Sequence, residues 1–225
     1  MNVEVKKESG HLLVDLAEGR FLIDTGSPTS FARDGRVTFA GKTLDVSSSA
    51  MGMLDAGELS GYVGMELGGL IGMDILGNYC LSFAGDRLQV DEDCQPEDGY
   101  VALSTESFMN IPVVTISMSG RDVSVFVDTG AKVSYLAPTL IDEFPVEVTL
   151  HDFYPGVGEF DVNVSTASCS LSGLPLKAKF GRLPTLLQMT LMMGGVDGIL
   201  GHDLFGAYDV RIDHGRQIAI RPRTV

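Results

Sequence analysis

With 225 residues, 44% apolar and 20% charged, the chain has the composition of a globular protein and room for one or two domains with cores of their own. Lys and Arg number 16 against 30 Asp and Glu, a formal net charge of −14 that repels phosphate backbones and anionic bilayers and argues against nucleic-acid or membrane partners. Glycine reaches 27 while proline stays at 9, the balance of a β-rich chain with many tight turns.

The opening MNVEVKKESG has basic residues with no apolar run behind them, so no secretory leader is expected. Short strands between turn residues are predicted at 3–5, 12–16, 21–23, 37–39, 81–83 and 88–90. More follow at 111–117, 123–127, 162–164, 176–180, 210–212 and 218–220. Helical turns are expected at 74–77, 139–144 and 203–206, with a longer one at 186–192. The longest apolar stretch, 186–196, is broken by Gln188 and Thr190 and falls short of the roughly 20 residues of a membrane span. Residues 91–99, DEDCQPEDG, are acidic with Pro and Gly and read as a linker, dividing the chain into 1–95 and 96–225.

The two parts carry the same pattern. FLIDTGSPTSF at 21–31 is echoed by VFVDTGAKVSY at 125–135: an apolar strand, Asp-Thr-Gly, a small residue, then Ser and an aromatic. GLIGMDILGNYCLSF from Gly69 is echoed by GILGHDLFGAYDVRI from Gly198, aligning Gly72 with Gly201, Asp74 with Asp203 and Tyr79 with Tyr208. Gly72 follows Asp24 by 48 residues and Gly201 follows Asp128 by 73, so the second copy is longer, the addition falling within 145–193.

These residues resemble the aspartic protease clan, retropepsin-like and pepsin-like, whose members share Asp-Thr/Ser-Gly and a downstream apolar-apolar-Gly. The resemblance implies an all-β, bilobal acid-protease fold: two retropepsin-like β-barrel lobes, fused in one chain and related by a pseudo-twofold axis. It implies an aspartic endopeptidase acting on a peptide or protein substrate as a monomer, with no cofactor and no metal. Asp24 and Asp128 would share a proton and activate water, since two carboxylates so close cannot both ionise. Thr25 and Thr129 would cross-bond the lobes, and Gly26 and Gly130 would let the backbone bend until its N–H groups reach the carboxylates. Ile71, Gly72, Leu200 and Gly201 would cross behind the loops.

Ser27 occupies the position of Ala131, and a hydroxyl donating to Asp24 would favour its ionised form, leaving the proton on Asp128. The glycine-tipped segment 151–160 reads as the main flap, with Tyr154, Gly156 and Val157 meeting substrate, and 47–57 as its smaller counterpart. The alternatives are a non-catalytic or regulatory binding module on the same scaffold, and a dimer in which second halves pair across molecules.

Other residues are read as structural. Cys80, Cys94 and Cys169 are too few and scattered for a disulfide framework or a Cys-x-x-Cys metal site, pointing to a reducing cytoplasm. His11, His151, His202 and His214 lack zinc-hydrolase spacing and read as satisfied histidines. No Gly-x-Ser-x-Gly elbow occurs. Met189, Met192 and Met193 are expected in the core, and Asp74 and Asp203 as caps of short helices.

Overall fold

The computed structural model describes residues 2–8, 10–50, 52, 54–154 and 158–223. These form a predominantly β structure dominated by two large sheets. Alternation drives strand formation: in Tyr208–Asp213 the residues Tyr208, Val210 and Ile212 are buried and their neighbours are not, the period-2 pattern of a sheet with one face in the core.

The ten-stranded sheet runs in the order Val101–Ala102, Gln217–Pro222, Tyr208–Asp213, Cys80–Ala84, Arg87–Asp91, Asn2–Glu8, His11–Leu16, Gly19–Ile23, Gly69–Ile71, Phe31–Ala32. The eight-stranded sheet runs Thr105–Phe108, Ile111–Met118, Arg121–Val127, Gly198–Leu200, Ser134–Leu136, Leu174–Arg182, Gly158–Leu171, Val148–Tyr154.

The same local topology occurs in each. The strand leading into Asp24 pairs in parallel with Gly69–Ile71, which also pairs antiparallel with the strand that follows the motif. Around Asp128, Gly198–Leu200 takes both roles. The hairpins that close the two repeats meet edge to edge, pairing Leu81 with Ile212, Ser82 with Arg211 and Phe83 with Val210. Gly201 follows Gly72 by 129 residues, and the same offset turns Leu81–Ile212 into Val210–Phe83 and leaves Ser82–Arg211 unchanged. The register of this junction is therefore symmetric about the Ser82–Arg211 pair. The strands after Tyr208 belong to the second sequence half yet lie in the sheet of the first, so residue 95 is not a sheet boundary.

Five helices are described: α1 (Ala56–Val63), α2 (Met73–Leu76), α3 (Pro138–Ile141), α4 (Thr185–Met193) and α5 (His202–Ala207). Helix α1 was not anticipated. Segment 47–57 holds only two-residue strands, Ser49–Ala50 and Leu54–Asp55, before Asp55 caps the helix. Asp55 accepts from the Gly57 and Glu58 N–H groups, Glu58 reaches back to the Asp55 N–H, and Gly64 closes the other end at φ 76°.

The methionines of α4 correct the core expectation. Leu187 and Leu191, one turn apart, take the inward face, leaving Met189, Met192 and Met193 63%, 66% and 84% exposed. Among the described residues no helix is long and apolar enough to cross a membrane.

The linker is fastened to the sheet. Cys94 is disulfide-bonded to Cys80, with Cα atoms 5.1 Å apart, which corrects the reading drawn from cysteine number and removes its argument for a reducing compartment. Beyond it, Glu97 bridges Arg211 and Arg221, and the Tyr100 ring lies 4.4 and 4.6 Å from the same two guanidinium carbons.

Candidate active site

The two Asp-Thr-Gly loops meet at the junction of the halves. Each motif strand ends by donating its Asp N–H to a carbonyl of the crossing strand: Asp24 to Ile71 and Asp128 to Leu200, both 3.0 Å. The loops are then tied reciprocally. Thr25 N donates to Thr129 Oγ1 and Thr129 N to Thr25 Oγ1, each 3.0 Å. Thr25 Oγ1 donates to the Val127 carbonyl and Thr129 Oγ1 to that of Ile23, each 2.7 Å. Both threonines are fully buried, so each bond satisfies a group that water cannot reach.

Gly72 and Gly201 sit behind the loops as expected. A Cβ on Gly72 would lie 2.7 Å from the Ser27 carbonyl oxygen, and one on Gly201 2.4 Å from that of Ala131. Their N–H groups donate to Ser30 Oγ (2.8 Å) and Ser134 Oγ (3.0 Å), which gives the repeated serine of the motif its role. Asp74 and Asp203 are not helix N-caps; Gly72 and Gly201 hold those positions. Asp74 instead accepts from Ser30 Oγ, and Asp203 accepts from Lys179 N at 2.6 Å.

The glycines next to the acids are needed for a different reason from the one expected. Neither has a positive φ. Their N–H groups do reach their own carboxylates, Gly26 to Asp24 at 2.9 Å and Gly130 to Asp128 at 2.7 Å. What excludes a side chain is the opposite loop. A Cβ on Gly26 would lie 2.2 Å from Asp128 Cγ, and one on Gly130 2.7 Å from Asp24 Cγ.

Each carboxyl therefore lies against the glycine of the opposite loop, and burial pushes the pKa of both up. For Asp24 the charge of Asp128 adds to burial in the same direction. Asp128 accepts from Gly130 N and from Ala131 N at 3.2 Å, donors that stabilise its charge. Both carboxyls are thus held above the ordinary Asp value, and the hydroxyl contact on which the Ser27 expectation rests is not made. The Ser27 hydroxyl turns away and donates to the Thr29 carbonyl at 2.8 Å; only its backbone N–H favours the Asp24 charge.

Tyr154 ends the strand Val148–Tyr154, which forms a seven-pair hairpin with Gly158–Leu171. Its side chain packs on the apolar cluster that also takes Ala131 of the second loop, and its phenol is raised by burial, then by the charges of Asp128 and Asp24. Gly156 and Val157 lie outside the described residues. The larger hairpin belongs to the second half, as expected from the longer spacing.

Sequence reasoning missed three contributors. His11 Nδ1 lies 3.2 Å from the Gly130 carbonyl, and burial lowers its pKa. His202 donates its backbone N–H to the Ala131 carbonyl at 3.1 Å, while its Nε2 is buried with no hydrogen-bond partner among the described residues, correcting the satisfied reading. Asp152 is buried beside the second loop, and the signal was its place on the inward face of a strand, in register with Leu150 and Tyr154. Neither the models of known protein families nor the curated proteins contain a match to this chain.

Proposed function

We propose that the chain is an aspartic endopeptidase with the bilobal acid-protease arrangement, both carboxylates coming from one molecule. The observation that carries this reading is the pair itself: two carboxyl groups, 104 residues apart in sequence, each set against the glycine of the opposite loop across a reciprocal threonine grip and held by backbone donors.

Such a pair supplies an acid and a base at one point. A water between the carboxyls gives a proton to ionised Asp128 and attacks the peptide carbonyl carbon, while Asp24 donates its proton to the carbonyl oxygen. The resulting tetrahedral diol collapses as Asp128 passes its proton to the departing nitrogen and a diol hydroxyl returns one to Asp24, breaking the C–N bond and leaving the dyad with one proton again. The substrate is a peptide or protein segment lying across the junction of the halves beneath the hairpin of Tyr154.

The test is cleavage of a peptide mixture from acidic to neutral pH by the wild type, Asp24→Asn and Asp128→Asn, with a statine-type peptide as inhibitor. Wild-type cleavage that the inhibitor blocks, and that either substitution lowers about 10³-fold or more, is expected. Equal activity in an Asn variant would overturn the reading. Inhibitor binding without cleavage of any peptide would favour a peptide-binding module instead.

A further inference from the structure

Asp152, Phe153 and Tyr154 lie in succession on one strand and reach three different places. On the inward face, Asp152 is 6% exposed. Its Oδ2 accepts the Tyr135 hydroxyl, and its Oδ1 lies 3.3 Å from Lys132 Nζ and 2.9 Å from the Phe153 N–H. Two residues along, on the same face, Tyr154 packs on the cluster that also takes Ala131, three residues after Asp128. On the opposite face, the Phe153 ring stacks on Tyr62 of α1, centroids 3.6 Å apart and planes 11° apart.

The partners of Asp152 are packed against other elements. Tyr135 is buried in the strand Ser134–Leu136, which is hydrogen bonded on both sides, to Gly198–Leu200 and Leu174–Arg182. A Cβ on Gly181 would lie 3.0 Å from its ring, so the tyrosine has no room to swing. Lys132 belongs to the second Asp-Thr-Gly loop and packs its stem so closely on Gly10 that a Cβ there would come within 2.9 Å. The arrangement is one-sided: the first-half counterpart of Tyr135 is Phe31, which has no hydroxyl.

We infer that Asp152 is a positioning residue for the proposed reaction: its carboxylate bolts the hairpin to Tyr135 and Lys132 beside Asp128 and so sets the height of Tyr154 over the carboxyl pair. The Phe153–Tyr62 stack carries the same strand across to the first half. A charged acceptor holding a buried hydroxyl and an ammonium is stronger than a neutral one, so removing the charge loosens the hairpin without emptying the site. This inference rests on the protease reading for its kinetic consequence and on the geometry alone for its mechanical one.

The experiment compares wild type, Asp152→Asn and Tyr135→Phe by amide hydrogen exchange and by peptide-cleavage kinetics. Exchange about tenfold faster in 148–154 and 158–164 is expected, with Tyr208–Asp213 unchanged. KM rises about tenfold while kcat stays within about twofold, the pattern of lost binding common to ground and transition states. Tyr135→Phe has a smaller effect of the same kind, and the two changes combined fall short of their sum because they cut one network. Unchanged hairpin exchange in either folded variant, or acceleration spread evenly over the molecule, would overturn the inference. If the wild type cleaves no peptide, the protease reading fails, and the exchange data still decide the role of Asp152.

Discussion

Ser27 against Ala131 is the visible chemical difference between the two Asp-Thr-Gly loops, and it does not decide which carboxyl holds the proton. The Ser27 hydroxyl is spent on the Thr29 carbonyl. The carboxylate of Asp128 is held instead by the backbone N–H groups of Gly130 and Ala131, donors that no side-chain identity reports. Burial raises both carboxyls above the value of 3.8 taken for an unperturbed Asp, Asp24 the further. Above that pH the unfolded chain has released protons that the folded one retains, so stability falls as pH rises toward the folded value. Asp24→Asn replaces the protonated acid with an amide that cannot ionise. Its melting temperature is expected to match wild type at pH below the unfolded pKa and to exceed it at neutral pH by about 2–4 °C per kcal/mol. Thermal denaturation across pH checks this; a variant that melts at or below wild type at neutral pH would contradict it.

At the scale of elements, the sequence was legible wherever a period was long enough to read. The predicted strands at 12–16, 123–127 and 176–180 lie within His11–Leu16, Arg121–Val127 and Leu174–Arg182. The three-residue strands Gly69–Ile71 and Gly198–Leu200 are buried throughout, so they carry no alternation and were recognised only as a repeated motif. Asp55 and Glu58 stand in capping-box spacing ahead of helix α1, a start signal legible in the sequence within the segment expected to form a small flap. The disulfide was within reach of the hairpin prediction: antiparallel pairing puts Cys80 opposite Asp91, three residues short of Cys94. Closing that short loop contributes about 3 kcal/mol, so reductant or Cys94→Ser is expected to lower the melting temperature by about 6–12 °C. An unchanged melting curve under reductant would show that the bond does not hold the linker to the sheet.

The two halves repeat one local topology, and strands of the second complete the sheet of the first. The register about Ser82–Arg211 and the reciprocal threonine bonds are each symmetric between the repeats. The second half is the longer by elaboration, with the long hairpin and α4 added between its motif and its crossing strand. That difference places Asp152 and the hairpin that carries Tyr154 beside the second loop. The central claim, that a single chain assembles one complete two-carboxylate site, is tested most directly by calorimetric titration of a statine-type peptide into the protein, with the molecular mass of the complex measured alongside. One inhibitor per chain on a monomer is the expected result. One inhibitor per two chains on a dimer would mean that the acids pair between molecules, and no binding would mean that the two carboxylates do not form such a site.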